Sequence, residues 1–171
     1  MADNLKIIRA VISEHRSIKR NVKLVGDSVS DLEALFRLQQ VHSGWAQSSV
    51  ESLSKKQEQL LQAISFLEEG LKNHFAFEEK ALPPLFGEVI MKALLLEHRD
   101  IKKKLAEAKA TLADAALEAL SQEELLSRKT HFQQMISNLC QMVQEHAASE
   151  GVILNMLKKC LEDEEERGRV V

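Results

Sequence analysis

From the eighth residue onward, Ile8, Val11, His15, Ile18, Val22, Val25, Val29, Leu32 and Phe36 follow one another at alternating steps of three and four. That spacing places all nine on a single stripe of an α-helix, the pattern of a helix packed lengthwise against others. A strand would need a period of two. A stripe held in phase over about eight helical turns leaves helix-on-helix packing as the only way to bury it. Composition agrees: two Pro, six Gly and no Tyr among 171 residues form a helix-favouring mixture. A chain of this length makes one domain with a sizeable core.

The phase predicts a first helix over about 3–46, long and open to a kink or break at Gly26-Asp27-Ser28, where Ser30 and Glu33 also resemble a capping box. A second helix is expected over about 52–82, with Leu53, Leu60, Ile64, Leu67, Leu71, His74 and Glu78 on one face. Pro83-Pro84 should stop it. A third, about 87–113, turns Leu94, His98, Ile101, Leu105 and Leu112 inward; a fourth follows the capping box Ser121 to Glu124 and turns in Leu125, Phe132, Met135, Leu139, Val143, His146, Glu150 and Leu157. The expectation is an all-α, up-down-up-down four-helix bundle over residues 1–163. The charge run "EDEEERGRVV" reads as a solvated end, with 164–171 a disordered acidic tail.

A net charge of −3 and a pI near 6.1 offer no basic face for nucleic acid. No stretch has the length and apolarity of a signal peptide or membrane span, so the chain reads as cytoplasmic, with no membrane partner. Cys140 and Cys160 lie too far apart along one helix to be bridged, and read as reduced, packed thiols.

Two stretches nearly repeat: "SEHRSIKR" from Ser13 and "LEHRDIKK" from Leu96. Each is followed by a His with a Glu four residues on, His74 with Glu78 and His146 with Glu150. Residues i and i+4 on a helix share a face, so each pair aims two ligands the same way. Counted from the turns, His15, His74, His98 and His146 fall at one level to within two or three helical turns, nearer the Pro-Pro end. Taken singly, each His would be an ordinary hydrogen-bonded core residue. Four imidazoles and two carboxylates in phase, with no Lys or Arg on the seams at that level, are better explained by a metal. Imidazole and carboxylate without thiolate suit iron, manganese or zinc. Six ligands exceed the need of one tetrahedral zinc, and two carboxylates on opposite helices can bridge a metal pair, leaving open positions and room for an oxo or hydroxo bridge.

The order His15, His74-x3-Glu78, His98, His146-x3-Glu150, together with "HFAFEEKALPP", resembles hemerythrin-like proteins of the His-His-Glu cation-binding class. The resemblance spans His15 to Glu150 and implies two non-haem iron ions, with Glu78 and Glu150 bridging, His15 and His74 on one iron, and His98 and His146 on the other. It also implies two similar helical hairpins, each giving half of the ligands. Where oxygen-carrying members have a second third-helix His, this chain has Lys102, and where they have an Asp five residues after the last His it has Gly151. Where iron-sensing members add a Glu after the second-helix His, it has Phe75. With at least one ligand fewer, the resemblance does not extend to reversible oxygen carriage.

Other polar residues read more simply. His42, with Trp45, lies about 40 Å along an unbroken helix from His15, and His131 about 22 Å from His146, so neither joins the same centre. Glu14, Glu97 and Glu145 each precede a His and read as surface charges rather than as acceptors for the imidazoles. Met135, Met142 and Met156 read as core filler. The function expected is a metal-binding protein that binds or senses oxygen, nitric oxide or peroxide, or responds to iron or redox state. An enzyme reducing or activating those molecules, and a structural or regulatory helical module with zinc or a vestigial site, are the other classes.

Overall fold

The computed structural model describes residues 2–41, 47–114 and 122–168. They form four helices, α1 (Ala2–Val41), α2 (Gln47–Ala81), α3 (Pro83–Ala113) and α4 (Gln122–Gly168), with no strand among the described residues. Helix α1 packs on α2 and α4, and α3 packs on the same two, which is the cyclic adjacency of a four-helix bundle.

The first helix runs unbroken through Gly26. A glycine inside a helix costs about 1 kcal/mol relative to alanine, but the burial of Val22, Val25 and Leu32 on either side of it offsets that cost. The capping box does not form; Ser28 and Ser30 instead donate to the carbonyls of Leu24 and Gly26 inside the helix, at 2.8 and 3.0 Å. His42 and Trp45 lie outside the described residues, as do the side chains of Phe36, Leu53 and Leu125.

Pro83 and Pro84 end α2 and open α3, at the first positions of a helix, where the missing N–H costs nothing. The turn they begin breaks at Gly87, whose φ of 70° and ψ of 176° suit glycine alone. The regular part of α3 therefore starts where the sequence placed it, with one extra turn ahead.

Burial follows the predicted stripes, including Ile8, Val11, Ile18, Val22, Leu60, Leu67, Leu71, Leu94, Ile101, Leu105, Phe132, Leu139 and Val143. The apolar interior divides into a larger cluster from Ile18 to Val143 and a smaller one of Ile8, Val11, Leu82, Phe86, Met91, Leu94 and Leu154 at the Pro-Pro end. Between them lies the polar layer described below.

Three expectations need correction. Helix α4 continues to Gly168, past the residue-163 boundary; Glu162 pairs with Arg9 of α1 at 3.0 Å, and Leu161 packs on the smaller cluster, so the charged stretch has a helix to extend. Met156 is 64% exposed, off the stripe, whereas Met135 and Met142 pack on the core. Cys160 is exposed rather than packed. Cys140 is half-buried against the Val22 carbonyl, and burial pushes its thiol up to about 11. Among the described residues no helix is long and apolar enough to cross a membrane.

Candidate metal centre

All six predicted side chains meet in one layer. Helix α1 supplies His15, α2 supplies His74 and Glu78, α3 supplies His98, and α4 supplies His146 and Glu150. The i, i+4 spacing on α2 and α4 works as expected: Nε2 of His74 stands 2.5 Å from Oε1 of Glu78, and Nε2 of His146 stands 3.8 Å from Oε2 of Glu150. Their burial is deep. Glu78 is 0% and Glu150 3% exposed, and His74, His98 and His146 are likewise buried. His15 alone is partly open, with 12% of its side chain accessible.

The layer has two halves. Ligand atoms of His15, His74, Glu78 and Glu150 lie within 4.8 Å of one another, and so do those of Glu78, His98 and His146. Glu78 belongs to both: its Oε1 faces His15 and His74 at 3.5 and 2.5 Å, and its Oε2 faces His98 at 3.2 Å. Glu150 leans toward the first half, 3.2 Å from Nε2 of His15.

Carboxylates outside the layer orient three of the rings. Nδ1 of His74 donates to Glu14 of α1 at 2.8 Å, Nδ1 of His146 to Glu97 of α3 at 2.9 Å, and Nδ1 of His98 to Glu79 of α2 at 3.0 Å. A carboxylate only accepts, so each bond puts the proton on Nδ1 and turns a free Nε2 lone pair inward. Reading Glu14 and Glu97 as mere surface charges was therefore mistaken, because each reaches across to the histidine of the neighbouring helix rather than to the one beside it in sequence. Glu145 accepts from Gln141 at the surface, as expected. Glu79 was missed; its signal was a second carboxylate directly after a ligand-spaced Glu.

The donor set fits a cation. Nε2 of His74, His98 and His146, both oxygens of Glu78 and Oε1 of Glu150 are buried and accept no aligned hydrogen bond. The 2.5 Å approach of His74 to Glu78 brings two acceptors together without the geometry of a hydrogen bond. Such a pair is repulsive unless a proton or a cation lies between. No Lys or Arg is buried among the described residues to supply one.

Protons are held unevenly across the layer. For His15, burial opposes the charged form, but Glu150 and Glu78 outweigh it and raise the pKa to about 9. His74 is also raised, burial being outweighed by Glu78 with help from Glu14. Burial prevails at His146, lowering it despite Glu97. Burial alone would raise Glu78, yet the approach of His15, His74 and His98 holds it well below the usual carboxylate range. Glu150 is raised by burial and by the negative charge of Glu78, which His15 offsets only in part.

Residues 6–157 match the hemerythrin HHE cation binding domain, and the chain belongs to that family. Neither a curated protein nor a solved structure matches it. His131, on α4 and exposed, lies away from the layer, as its distance along the helix required.

Proposed function

We propose that the layer holds a pair of iron ions, with His15 and His74 on one, His98 and His146 on the other, and Glu78 and Glu150 between them. The protein then binds or senses a small ligand such as oxygen, nitric oxide or peroxide, or reports iron and redox state. The observation that carries this reading is Glu78, a fully buried carboxylate whose two oxygens face histidines of different halves with no Lys or Arg buried beside it among the described residues. An iron pair would supply open coordination positions and a change of oxidation state. The chain's own part is to present inward Nε2 lone pairs, fixed by Glu14, Glu79 and Glu97, inside apolar clusters that exclude water. The imidazole-rich donor set argues against strong oxidant chemistry, for which carboxylate-rich sites are usual. Metal analysis of protein purified without oxygen, with an optical spectrum before and after air, tests the reading. Two irons per chain and an air-dependent spectrum are expected; one zinc, or no metal after iron-replete expression, would overturn it.

A further inference from the structure

The two helical hairpins correspond helix by helix, α1 to α3 when His15 is matched to His98 and α2 to α4 when His74 is matched to His146. The seam between α2 and α3 then corresponds to the seam between α4 and α1, and the two are filled differently. At the α2/α3 seam the Phe75 ring stacks on His98, centroids 3.8 Å apart and 16° from parallel. Glu79 accepts from Nδ1 of the same His98, and Lys102 binds Glu79 at 3.3 Å while lying 5.4 Å over the Phe75 ring. At the α4/α1 seam Phe75 is replaced by Ala147, Glu79 by Gly151, Leu71 by Val143 and Leu105 by Val22, while the lysine is kept as Lys19. Every change removes bulk. The result is a cleft of about 430 Å³ between α1 and α4, lined among others by His15, Arg16, Lys19, Val22, Val143 and Ala147.

What the cleft leaves unpaired matches what the other seam supplies. Nδ1 of His15 has no protein partner among the described residues, whereas the other three rings each have a carboxylate. Arg16 and Lys19 are exposed and make no ion pair among the described residues. A side chain at Gly151 would meet nothing within 4 Å. The missing pieces are an aromatic ring and a carboxylate, four residues apart on one helix face.

We infer that the α1/α4 cleft is a binding site for a small aryl carboxylate, whose ring takes the place that Phe75 holds on the opposite seam and whose carboxylate takes that of Glu79, between His15 and Lys19. A ring buried among Val22, Val143 and Ala147 gains apolar contact, and the carboxylate gains charge-assisted hydrogen bonds from Lys19 or Arg16. This goes beyond the reading of the metal layer and does not depend on it, since the cleft is formed by the chain alone.

Calorimetric titration of the full chain with phenylpropanoate, with metal and after chelation, tests the site, with phenylpropanol as the neutral control. Saturable binding of one phenylpropanoate per chain is expected, with the alcohol weaker by about tenfold, the worth of a charge-assisted hydrogen bond. Ala147→Phe, which restores the ring from within, should abolish binding, and Lys19→Gln should weaken it about tenfold. Gly151→Glu places a competing carboxylate by His15 without filling the ring position, and should also weaken binding if Ala147→Phe proves unstable. Metal content measured on the same samples keeps the two readings apart. No saturable binding, an equal affinity for the alcohol, or unchanged affinity in both Ala147→Phe and Gly151→Glu would overturn the site, whatever the metal content.

Discussion

The two halves of the polar layer are built from the same helical pattern and differ in how tightly they are closed. Around His98 and His146, Phe75 stacks on one ring and meets the other edge-on at 5.4 Å, both Nδ1 atoms are held by carboxylates, and both side chains are almost wholly buried. Around His15 and His74, only His74 is so held, and His15 borders a cleft. In the closed half the pKa of His146 is lowered, and in the open half His15, His74 and Glu150 are raised and hold protons more readily. The repeated hairpin pattern thus supplies a symmetric ligand set, and a few side chains at one seam make its halves unequal.

The largest effect is expected at the residue shared by both halves. Glu78→Ala should empty both metal positions, because among the described residues no other carboxylate faces His74 and His98 together. Glu150→Ala should strip the His15 half first, since that carboxylate lies 3.2 Å from His15 and 3.8 Å from His146. Metal per chain, measured by elemental analysis across a dilution series, separates the two; equal losses would mean that Glu150 serves both halves alike.

Next in size is the ring that closes one half. Phe75 is fully buried, and Phe75→Ala should cost about 3–5 kcal/mol of stability in the metal-free chain, the usual range for emptying such a site. It should also bring the exposure of His98 toward that of His15. Denaturant unfolding measures the first, and the rate of chemical modification of His98 the second. An unchanged rate would show that closure does not come from Phe75.

The outer carboxylates come third. Glu79→Gln and Glu97→Gln should each lower metal affinity by about 10–100-fold, because an amide can turn its N–H toward Nδ1 and no longer fixes the imidazole tautomer. Glu145→Gln, altering an exposed residue that accepts from Gln141 away from the layer, should leave affinity unchanged. Competition with a coloured chelator reads all three.

The stripes and the ligand layer were legible because both rest on helical periodicity, which a sequence displays directly: His74 and Glu78, or His146 and Glu150, share a face whatever surrounds them. The pairing of Glu14 with His74 and of Glu97 with His146 was hidden for a physical reason. It crosses between helices, and which boundary carboxylate reaches which ring depends on the rotation of neighbouring helices about their axes. The continuity of α1 through Gly26 depended likewise on burial of Val25 and Leu32, a tertiary gain that outweighs a local propensity. The persistence of α4 past residue 163 depended on Arg9 and on the packing of Leu161, neither of them visible in a run of acidic residues.

The smallest effect expected is a difference in pH dependence between the halves. In the metal-free chain His15 is raised from 6.5 to about 9, so the folded state binds more protons than the unfolded state between those values. Its contribution to stability is complete below pH 6.5 and is lost as pH rises through about 9. His146 has the opposite sign: its pKa is lowered, so its burial penalises acid conditions and eases as pH rises toward its ordinary value. Between pH 6.5 and 9 the metal-free melting temperature should therefore fall, and His15→Asn should lessen that fall, with the remainder from the raised His74, while His146→Asn leaves it in place. Metal reverses the dependence, because His15 must lose its proton to become a ligand, and affinity should climb over the same interval. Melting curves across this range, with metal and with chelator, measure both slopes. A fall that persists in the His15→Asn chain would place the extra proton on His74, the other raised imidazole of the open half, and one that persists when both are replaced by Asn would remove the protonation contrast between the open half and the closed one.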